Sequence, residues 1–234
     1  MSFLVETKRF KLMQTKQQAF NTDTVLLSNF INIPKNTKNI LDIGTGSGVL
    51  MFDLAFKSEA NIYGLEVQQN RFEQACNNIE LNNLTNRLKA LNEDLNEYKP
   101  NILFDLIISN PPFFKVDQNS NLSKNEEDLI ARHEVKLTLE QLFNNVSRLL
   151  KYRGHFYMIH RPDRLDEIVA YANKYQIAIK TIRFIHPNID SKANHILIHG
   201  IKNGGQGISV LNPLILYKDK HIFTKEMEEI IGDF

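Results

Sequence analysis

The feature that most constrains the fold is the run LDIGTGSG, which occupies residues 41–48. A short apolar segment, 39–43, leads straight into three alternating glycines, and apolar residues at helical spacing continue to Phe56. This pattern predicts a buried strand that turns tightly and continues as a helix. Glycines in such a turn let the backbone approach a ligand closely, and the first amides of the helix face that ligand. We therefore expect a nucleotide-type site where the strand ends.

Strand-like and helix-like segments alternate along most of the chain. Strands are predicted over 39–43, 61–65, 88–91, 104–108 and 154–159, and helices over 48–56, 68–83, 138–150 and 163–175. Two strand-like runs with no helix between them, 177–185 and 195–201, should pair antiparallel. The expected fold class is α/β, a doubly wound, mostly parallel sheet with helices on both faces and an antiparallel C-terminal edge. Residues 1–234 are expected to form a single domain, with 115–128 as a long polar loop.

The bulk composition is that of an ordinary globular protein, since 42% of residues are hydrophobic and 24% are charged. No run approaches the roughly 18 apolar residues that a membrane span requires, and the first residues, MSFLVETKRFKLMQ, lack the apolar core of a signal peptide. We expect a cytoplasmic protein with no membrane contact. The one cysteine, Cys76, cannot form an internal disulfide and is expected to be an inert, half-buried thiol.

The charges are distributed unevenly, although their sum is only +1. Residues 59–140 hold 14 acids and 8 bases, whereas residues 148–202 hold 10 bases and 4 acids. Against Glu6, the N-terminal segment adds four more bases: Lys8, Arg9, Lys11 and Lys16. A two-part basic surface of this kind suits a polyanion bound through its phosphates, although an ordinary solvated face has the same composition.

Acidic residues follow the next two predicted strands, at the edge where the glycine turn lies. Glu66 ends the second strand, 18 residues beyond Gly48, and its carboxylate can accept hydrogen bonds from both hydroxyls of a ribose. Asp94 follows the third strand and can accept a hydrogen bond from an adenine amino group, with Leu95 packed beside the ring. Each acid alone is compatible with a solvated loop, but the set at successive strand ends favours a nucleoside site.

The run Asn110-Pro111-Pro112-Phe113 follows the fourth predicted strand and points to chemistry at an amino group. The amino nitrogen of a nucleobase is a poor nucleophile, so its reaction requires in-line positioning and acceptors for its N–H groups. The Asn110 side-chain oxygen and the Pro111 carbonyl are two such acceptors, and the prolines fix the direction of that carbonyl. Phe113 can stack on the base. The alternative is that the prolines only end a strand and that Phe113 fills the core.

With these motifs the chain resembles the class I S-adenosylmethionine-dependent methyltransferases. Within that class it is similar to the bacterial tRNA (adenine-N6)-methyltransferases that act next to the anticodon of valine tRNA. Besides LDIGTGSG and NPPF, the likeness includes FNTDTVLL at 20–27, ARHE at 131–134, HRP at 160–162, ANH at 193–195 and GGQG at 204–207. The resemblance implies a Rossmann-like class I fold and S-adenosyl-L-methionine as methyl donor, with S-adenosyl-L-homocysteine as product. It also implies N6 of adenine 37 in valine tRNA as the acceptor.

Site residues follow from the motifs and the resemblance together, and residues 1–30 are expected to contribute to both the cofactor site and the substrate site. The expected cofactor-binding residues are Thr22, Asp42, Gly44, Gly46, Gly48, Glu66, Asp94, Leu95 and Asn110. The expected catalytic residues are Asn110, Pro111, Pro112 and Phe113, and the expected substrate-binding residues are Phe113, Arg132, His133 and Arg161. No metal is expected, and neither His133 nor His160 is required as a base because the amine can lose its proton after transfer. The run 204–207 is expected to be a hairpin turn.

Other functions remain open at this point. Methyltransferases that act on guanine N2 of ribosomal RNA, on adenine of DNA or on protein glutamine can use the same four-residue turn. The basic segments favour a nucleic acid, and the lack of a separate recognition domain disfavours sequence-specific DNA. A non-catalytic RNA-binding protein would not need Asn110, and a dinucleotide oxidoreductase would need a glycine where Val49 stands.

Overall fold

A computed structural model describes residues 2–15, 22–111 and 137–234. Four of the expected site residues, Pro112, Phe113, Arg132 and His133, lie outside the described residues, and so does the expected loop at 115–128.

The chain opens with a hairpin of β1 (Ser2–Glu6) and β2 (Lys11–Thr15) and then forms helix α1 (Thr22–Phe30). The α/β alternation that follows comprises β3 (Asn39–Ile43), α2 (Val49–Lys57), β4 (Asn61–Leu65), α3 (Gln69–Leu81), β5 (Leu88–Leu91) and β6 (Phe104–Ser109). The next elements are α4 (Leu139–Leu149), β7 (Leu150–His160), a 3-10 turn (Pro162–Arg164), α5 (Leu165–Lys174), β8 (Ile177–His186) and β9 (His195–Lys202). The C-terminal part contains β10 (Ser209–Val210), β11 (Leu214–Ile215), β12 (Tyr217–Asp219), β13 (Ile222–Phe223) and α6 (Lys225–Asp233).

Nine strands form the central sheet in the order β10-β8-β9-β7-β6-β3-β4-β5, with β11 also along β8. Among these nine, β9 alone is reversed, because it pairs antiparallel with both β7 and β8 while the other pairs are parallel. The predicted α/β class, the mostly parallel sheet and the antiparallel pairing of 177–185 with 195–201 are confirmed. The strand β7 is longer than predicted because it begins directly at the end of α4.

The run 204–207 is not a hairpin turn, so that prediction is wrong. Strand β9 already has β7 on one edge and β8 on the other, so it has no free edge for the strand that follows it. The chain therefore crosses to the far edge of β8, where β10 pairs parallel with it. Lys180 on β8 fixes this crossing, because its Nζ donates to the carbonyls of Gly205, Gln206 and Gly207 at 3.1, 3.2 and 2.8 Å.

The sheet is buried on both faces, which is why its strands are continuously apolar. On one face, α1, α2 and α6 pack over residues such as Ile40 and Ile108. On the other face, α4 and α5 pack over residues such as Leu41 and Ile107. These neighbours in sequence fall on opposite faces because side chains alternate along a strand.

A buried charged network fixes the N-terminal part to the rest of the fold. Asp53 on α2 is fully buried and pairs with Arg9 at 2.7 Å and with Lys57 at 2.6 Å. The Ser28 hydroxyl of α1 donates to the same carboxylate. Removing one member of such a network leaves uncompensated buried charge, so the network holds the first hairpin and α1 in a defined position on α2.

Candidate active site

Five neighbouring strands of the sheet, β5, β4, β3, β6 and β7, run in the same direction, so their carboxyl ends form one edge. The glycine turn follows β3, Glu66 follows β4 and Asn110 follows β6. In open α/β sheets, ligands bind at this edge. The expected site residues that the structure describes are therefore brought to the same side of the molecule.

The glycine turn needs a backbone that other residues rarely adopt. Gly44 and Gly46 have φ values of +75° and +58°, in the left-handed region. A Cβ on Gly44 would meet no atom within 4 Å, so the space beside it is open to a ligand. The amides of Gly44 and Thr45 donate to the Leu65 carbonyl at 2.9 and 3.0 Å, which attaches the turn to the end of β4.

Asp42 lies beneath the turn and is fully buried. The Thr45 hydroxyl donates to its Oδ2 at 2.6 Å, while Oδ1 has no hydrogen-bond partner in the described part of the chain. Burial raises the pKa of Asp42 to about 7; the Thr45 hydrogen bond opposes this rise and the charge of Glu66 adds to it. A buried oxygen without a partner beside an open turn can bind a polar ligand or a proton.

Glu66 is also buried, and two main-chain amides hold its carboxylate. Oε2 accepts from the Gly46 amide at 2.9 Å, and Oε1 accepts from the Gln68 amide at 3.0 Å. Each carboxylate oxygen can accept more than one hydrogen bond, so both keep capacity for the hydroxyls of a ribose. Asn92 was not identified from the sequence; it donates to the carbonyls of Glu66 and Val67 at 2.9 and 3.1 Å and so joins the end of β5 to this acid.

Asp94 and Leu95, the residues expected beside an adenine ring, follow β5 but differ in exposure. Asp94 is exposed, and its Oδ1 accepts from the main-chain amide and the side-chain amide of Asn96 at 2.7 and 3.0 Å. Leu95 is buried in the core beneath α4, near Tyr98. Their contact with a nucleobase stays a prediction.

Asn110 lies directly after β6 and is half-buried, with Pro111 buried behind it. Its Nδ2 donates to the Thr24 hydroxyl of α1 at 3.5 Å. Because the amide nitrogen of Asn110 is bonded to Thr24, Oδ1 is the acceptor that Asn110 can offer to a substrate N–H. Behind it, the Ser109 hydroxyl donates to the Ile43 carbonyl at 3.2 Å and holds the end of β6 against β3.

The first turn of α1 joins the ends of β6 and β9. Thr22 is exposed at the helix start, and Thr24 contacts Asn110. Between them, Asp23 lies 3.6 Å from Nε2 of His195. Burial raises the pKa of Asp23, and the charge of His195 opposes that rise. The segments that hold Asp23, Thr24 and His195 were noted in the sequence, but their contacts join distant parts of the chain and no local pattern indicates them.

A polar cavity of about 380 Å³ lies at the carboxyl end of β7, beside the start of β9. It is lined by Arg161, Pro162, Asp163, Ala193, Asn194 and His195. Arg161 remains largely exposed although its Nε bonds Asp163 at 3.1 Å. The adjacent His160 is buried, which lowers its pKa to about 4, and its Nδ1 accepts from the Arg161 amide at 2.8 Å. His160 is therefore neutral at physiological pH.

Many of the bases in the two basic segments have partners on this chain. Lys151 pairs with Asp105 at 2.7 Å, and Arg183 pairs with Glu226 at 2.5 Å. Arg164, Lys174, Arg9 and Lys11 also form ion pairs. The composition therefore overstates the positive charge that a polyanion would meet. Exposed bases near the cavity matter more than the totals: Lys192 is exposed, and Arg161 remains largely exposed although it pairs with Asp163.

Three further expectations concern metal, membrane and thiol chemistry. Residues 2–15, 22–111 and 137–234 contain no group of three or more His, Cys, Asp or Glu side chains that would hold a metal ion. None of the helices in those ranges is long and apolar enough to cross a membrane. Cys76 is half-buried on α3, and burial raises the pKa of its thiol, as do Glu80 and Glu73. This thiol is therefore poorly reactive, as predicted.

The arrangement is similar to that of solved structures described as methyltransferases. A predicted O-methyltransferase from Agrobacterium tumefaciens superposes with a TM-score of 0.71 and 22% identity, covering 91% of this chain and 96% of that one. A protein from Listeria monocytogenes described as a class I S-adenosylmethionine-dependent methyltransferase superposes with a TM-score of 0.58 and 16% identity, covering 90% of this chain and 68% of that one. At these identities the likeness shows a common fold, the class I methyltransferase fold.

Sequence comparison extends further. The family described as the methyltransferase small domain matches residues 17–163. The tRNA1(Val) (adenine(37)-N6)-methyltransferase of Pedobacter heparinus is 31% identical over 97% of this chain and 95% of its own length. The protein of the same name from Flavobacterium johnsoniae is 28% identical over 99% of this chain and 98% of its own length. The chain belongs to the methyltransferase small domain family and, within it, to the family of tRNA1(Val) (adenine(37)-N6)-methyltransferases.

Proposed function

We propose that this protein transfers a methyl group from S-adenosyl-L-methionine to the exocyclic N6 of adenine 37 in valine tRNA, leaving S-adenosyl-L-homocysteine. The observation that carries the proposal is the position of Asn110, which follows the strand next to the one that ends in the glycine turn. Its Nδ2 is bonded to Thr24, so Oδ1 is the atom that can accept from a substrate N–H. The curated relatives with this name align along nearly the whole chain. We further propose that the whole chain acts as one unit in the cytoplasm and that residues 1–30 take part in the site.

The described residues fit a nucleoside cofactor. Glu66 would accept from the ribose hydroxyls, Gly44 and Gly46 would let the backbone approach, and Asp42 would brace the turn. The orphaned Oδ1 of Asp42 and the open space beside Gly44 support this assignment. Further cofactor contacts are assigned to Thr22, Gly48, Asp94, Leu95 and Asn110. When bound, the cofactor supplies an electrophilic methyl group on a sulfonium.

The protein's task in the reaction is to orient a weak nucleophile. Oδ1 of Asn110 and the carbonyl of Pro111 accept the two N–H groups of the adenine amino group, which directs its lone pair toward the methyl carbon. The extra proton leaves the nitrogen after transfer, so no strong base is required. His160 fits this account because it is neutral and its Nδ1 is already occupied.

Substrate RNA would meet the same edge of the sheet. We assign base stacking to Phe113, with Pro112 holding the turn, and phosphate contacts to Arg132, His133 and Arg161. The cavity beside Arg161 is polar and lies next to the strand that carries Asn110, which suits a nucleotide of the RNA near its target. The pairing of many other bases with acids of this chain favours a local RNA contact over a broad basic surface.

The test is methyl transfer from labelled S-adenosylmethionine to unmodified valine tRNA, followed by nucleoside analysis. We expect the label in N6-methyladenosine, and we expect none in a matched tRNA whose adenine 37 is replaced by guanine. Label on guanine N2 in ribosomal RNA or on protein glutamine, with none on the tRNA, would overturn the proposal. Binding of tRNA without any transfer would identify a non-catalytic RNA-binding protein instead.

A further inference from the structure

Arg71 lies in the first turn of α3 with its guanidinium over the glycine turn. Its Nη1 is 4.0 Å from the position that a Cβ on Gly46 would take. The side chain is half-buried, its Nε is fully enclosed, and that Nε has no hydrogen-bond partner in the described part of the chain. A guanidinium carries five donors and a permanent charge, so a half-buried one beside a ligand-binding turn, with no ion pair to an acid of the described residues, suits an anion.

Two glutamine side chains, one on α3 and one on the strand β2 that is bonded to this helix, also have an unpaired buried atom. Gln14, near the end of β2, is only 1% exposed, and its Nε2 has no partner among the described residues. Gln74 lies three residues beyond Arg71 on α3; its Nε2 donates to the Met13 carbonyl at 2.9 Å, whereas its buried Oε1 has no partner. Buried polar atoms in native proteins are nearly always hydrogen-bonded, so three unpaired atoms on one strand and one helix leave two donors and one acceptor for a polar ligand.

A fourth side chain fixes this strand and this helix against the turn. Asn78 on α3 is fully buried; its Oδ1 accepts from the Met13 amide at 2.7 Å. Its Nδ2 donates to the carbonyls of Met13 and Ser47 at 3.2 and 3.0 Å. β2, α3 and the glycine turn are thus held together by one side chain, and the unpaired atoms have fixed positions relative to the turn.

We propose that Arg71 and Gln14 bind the carboxylate of the amino-acid part of S-adenosylmethionine, and that Oε1 of Gln74 accepts from its ammonium group. The carboxylate is the only anionic group of that cofactor, and the ammonium is a strong donor next to it. Two donors and one acceptor without partners match this pair of groups. The inference rests on the proposed function, because it takes S-adenosylmethionine as the cofactor; neither the sequence motifs nor the family resemblance assigns a role to these three residues.

The experiment compares two ligands that differ in the amino-acid part. S-adenosylhomocysteine carries it, whereas 5′-methylthioadenosine lacks both the carboxylate and the ammonium. Calorimetric titration of the full chain with each ligand is performed for the wild type, for Arg71→Met and for Lys89→Met, which removes an exposed cation from β5. Arg71→Met should weaken S-adenosylhomocysteine binding by about tenfold to a hundredfold, as expected for a charge-assisted hydrogen bond. It should leave 5′-methylthioadenosine binding unchanged, and Lys89→Met should change neither.

A second variant distinguishes a loss of ligand binding from a loss of folding in Arg71→Met. If Gln14 and Arg71 share one carboxylate as proposed, Gln14→Glu places its own carboxylate next to the guanidinium and repels the carboxylate of the ligand. We expect the same selective loss of S-adenosylhomocysteine binding, with thermal melting at or above that of the wild type. Unchanged affinity for S-adenosylhomocysteine in both variants would overturn the inference, and so would an equal loss for both ligands, because that would mean a packing role for Arg71.

An RNA phosphate is the competing anion. If Arg71→Met leaves S-adenosylhomocysteine binding intact but weakens tRNA binding and reduces its salt dependence, Arg71 binds RNA and the inference is wrong. If the proposed function itself is wrong, the binding results for the wild type will differ. In that case the wild type itself would bind neither S-adenosylhomocysteine nor 5′-methylthioadenosine, whereas failure of the inference alone leaves wild-type binding intact.

Discussion

In the cofactor half of the carboxyl edge, formed by β3, β4 and β5, main-chain amides hold the carboxylate that is assigned to the ribose. Glu66 is bonded by the amides of Gly46 and Gln68. In the substrate half, formed by β6, β7 and the start of β9, side chains from separate elements hold one another instead. Thr24 meets Asn110 across 86 residues of sequence, and Asp23 meets His195. The cofactor half is thus fixed by local backbone geometry, whereas the substrate half depends on how α1 is docked.

This difference predicts that substitutions in the two halves will separate cofactor affinity from turnover. In the cofactor half, loss of a ligand group should weaken S-adenosylmethionine binding. In the substrate half, loss of an acceptor or of the residue that orients it should lower kcat far more than it weakens cofactor binding.

The largest effect is expected for Asn110→Ala, which removes the oriented acceptor. We expect kcat for tRNA methylation to fall by about a hundredfold to a thousandfold, the scale of losing one preorganised polar group in an active site. Steady-state kinetics with saturating tRNA checks this, with Asn77→Ala, an exposed amide on α3, as the matched control. A near-normal kcat would mean that Asn110 does not orient the amine.

In the cofactor half, Glu66→Gln keeps the shape of the side chain but removes its charge. S-adenosylhomocysteine binding should weaken by about tenfold to a hundredfold, because a charged acceptor of the ribose hydroxyls is replaced by a neutral amide. Calorimetry measures the change, and Glu97→Gln, an exposed carboxyl after β5, should behave as the wild type. If kcat at saturating cofactor falls as far as affinity does, the proposed separation of the two halves is wrong.

The pH dependence of stability tests the buried acid beneath the glycine turn. Because the pKa of Asp42 is raised from 3.8 to about 7, the folded state keeps a proton that the unfolded chain has released. The free energy of unfolding should therefore fall as pH rises from about 4 to about 7, by up to about 1.4 kcal/mol per pH unit. Asp42→Asn should lack this component in urea unfolding of the ligand-free protein, while the exposed Asp190→Asn should follow the wild type. Parallel curves for the wild type and Asp42→Asn would contradict the assignment.

The smallest effect is expected at Thr24, which is buried and accepts a hydrogen bond from Asn110. Thr24→Val should lower kcat about fivefold, the equivalent of about 1 kcal/mol for one neutral hydrogen bond, with KM for the cofactor unchanged. Thr24→Ser restores the hydroxyl and should restore most of the rate. A defect that serine does not rescue would show that packing of α1, and not the hydrogen bond, is what matters.

The sequence predicts the features that have a local pattern, and it does not predict those that depend on contacts between distant segments. The strand-turn-helix unit at 39–56 and the positions of Glu66 and Asn110 at strand ends are predictable because each is defined by a local pattern. The run 204–207 was misinterpreted because its path depends on both edges of β9 being occupied, which is a property of the whole sheet. No local sequence pattern indicates Arg71 and Gln14, because their buried, unpaired nitrogens are evident only when β2 packs on α3.

Nucleoside mass spectrometry of valine tRNA from cells that lack this protein tests directly whether the protein methylates adenine 37. We predict that N6-methyladenosine is absent at position 37 of that tRNA, that the wild-type protein restores it, and that the Asn110→Ala variant does not. An unchanged level of N6-methyladenosine at that position, or its restoration by Asn110→Ala to the wild-type level, would contradict the account.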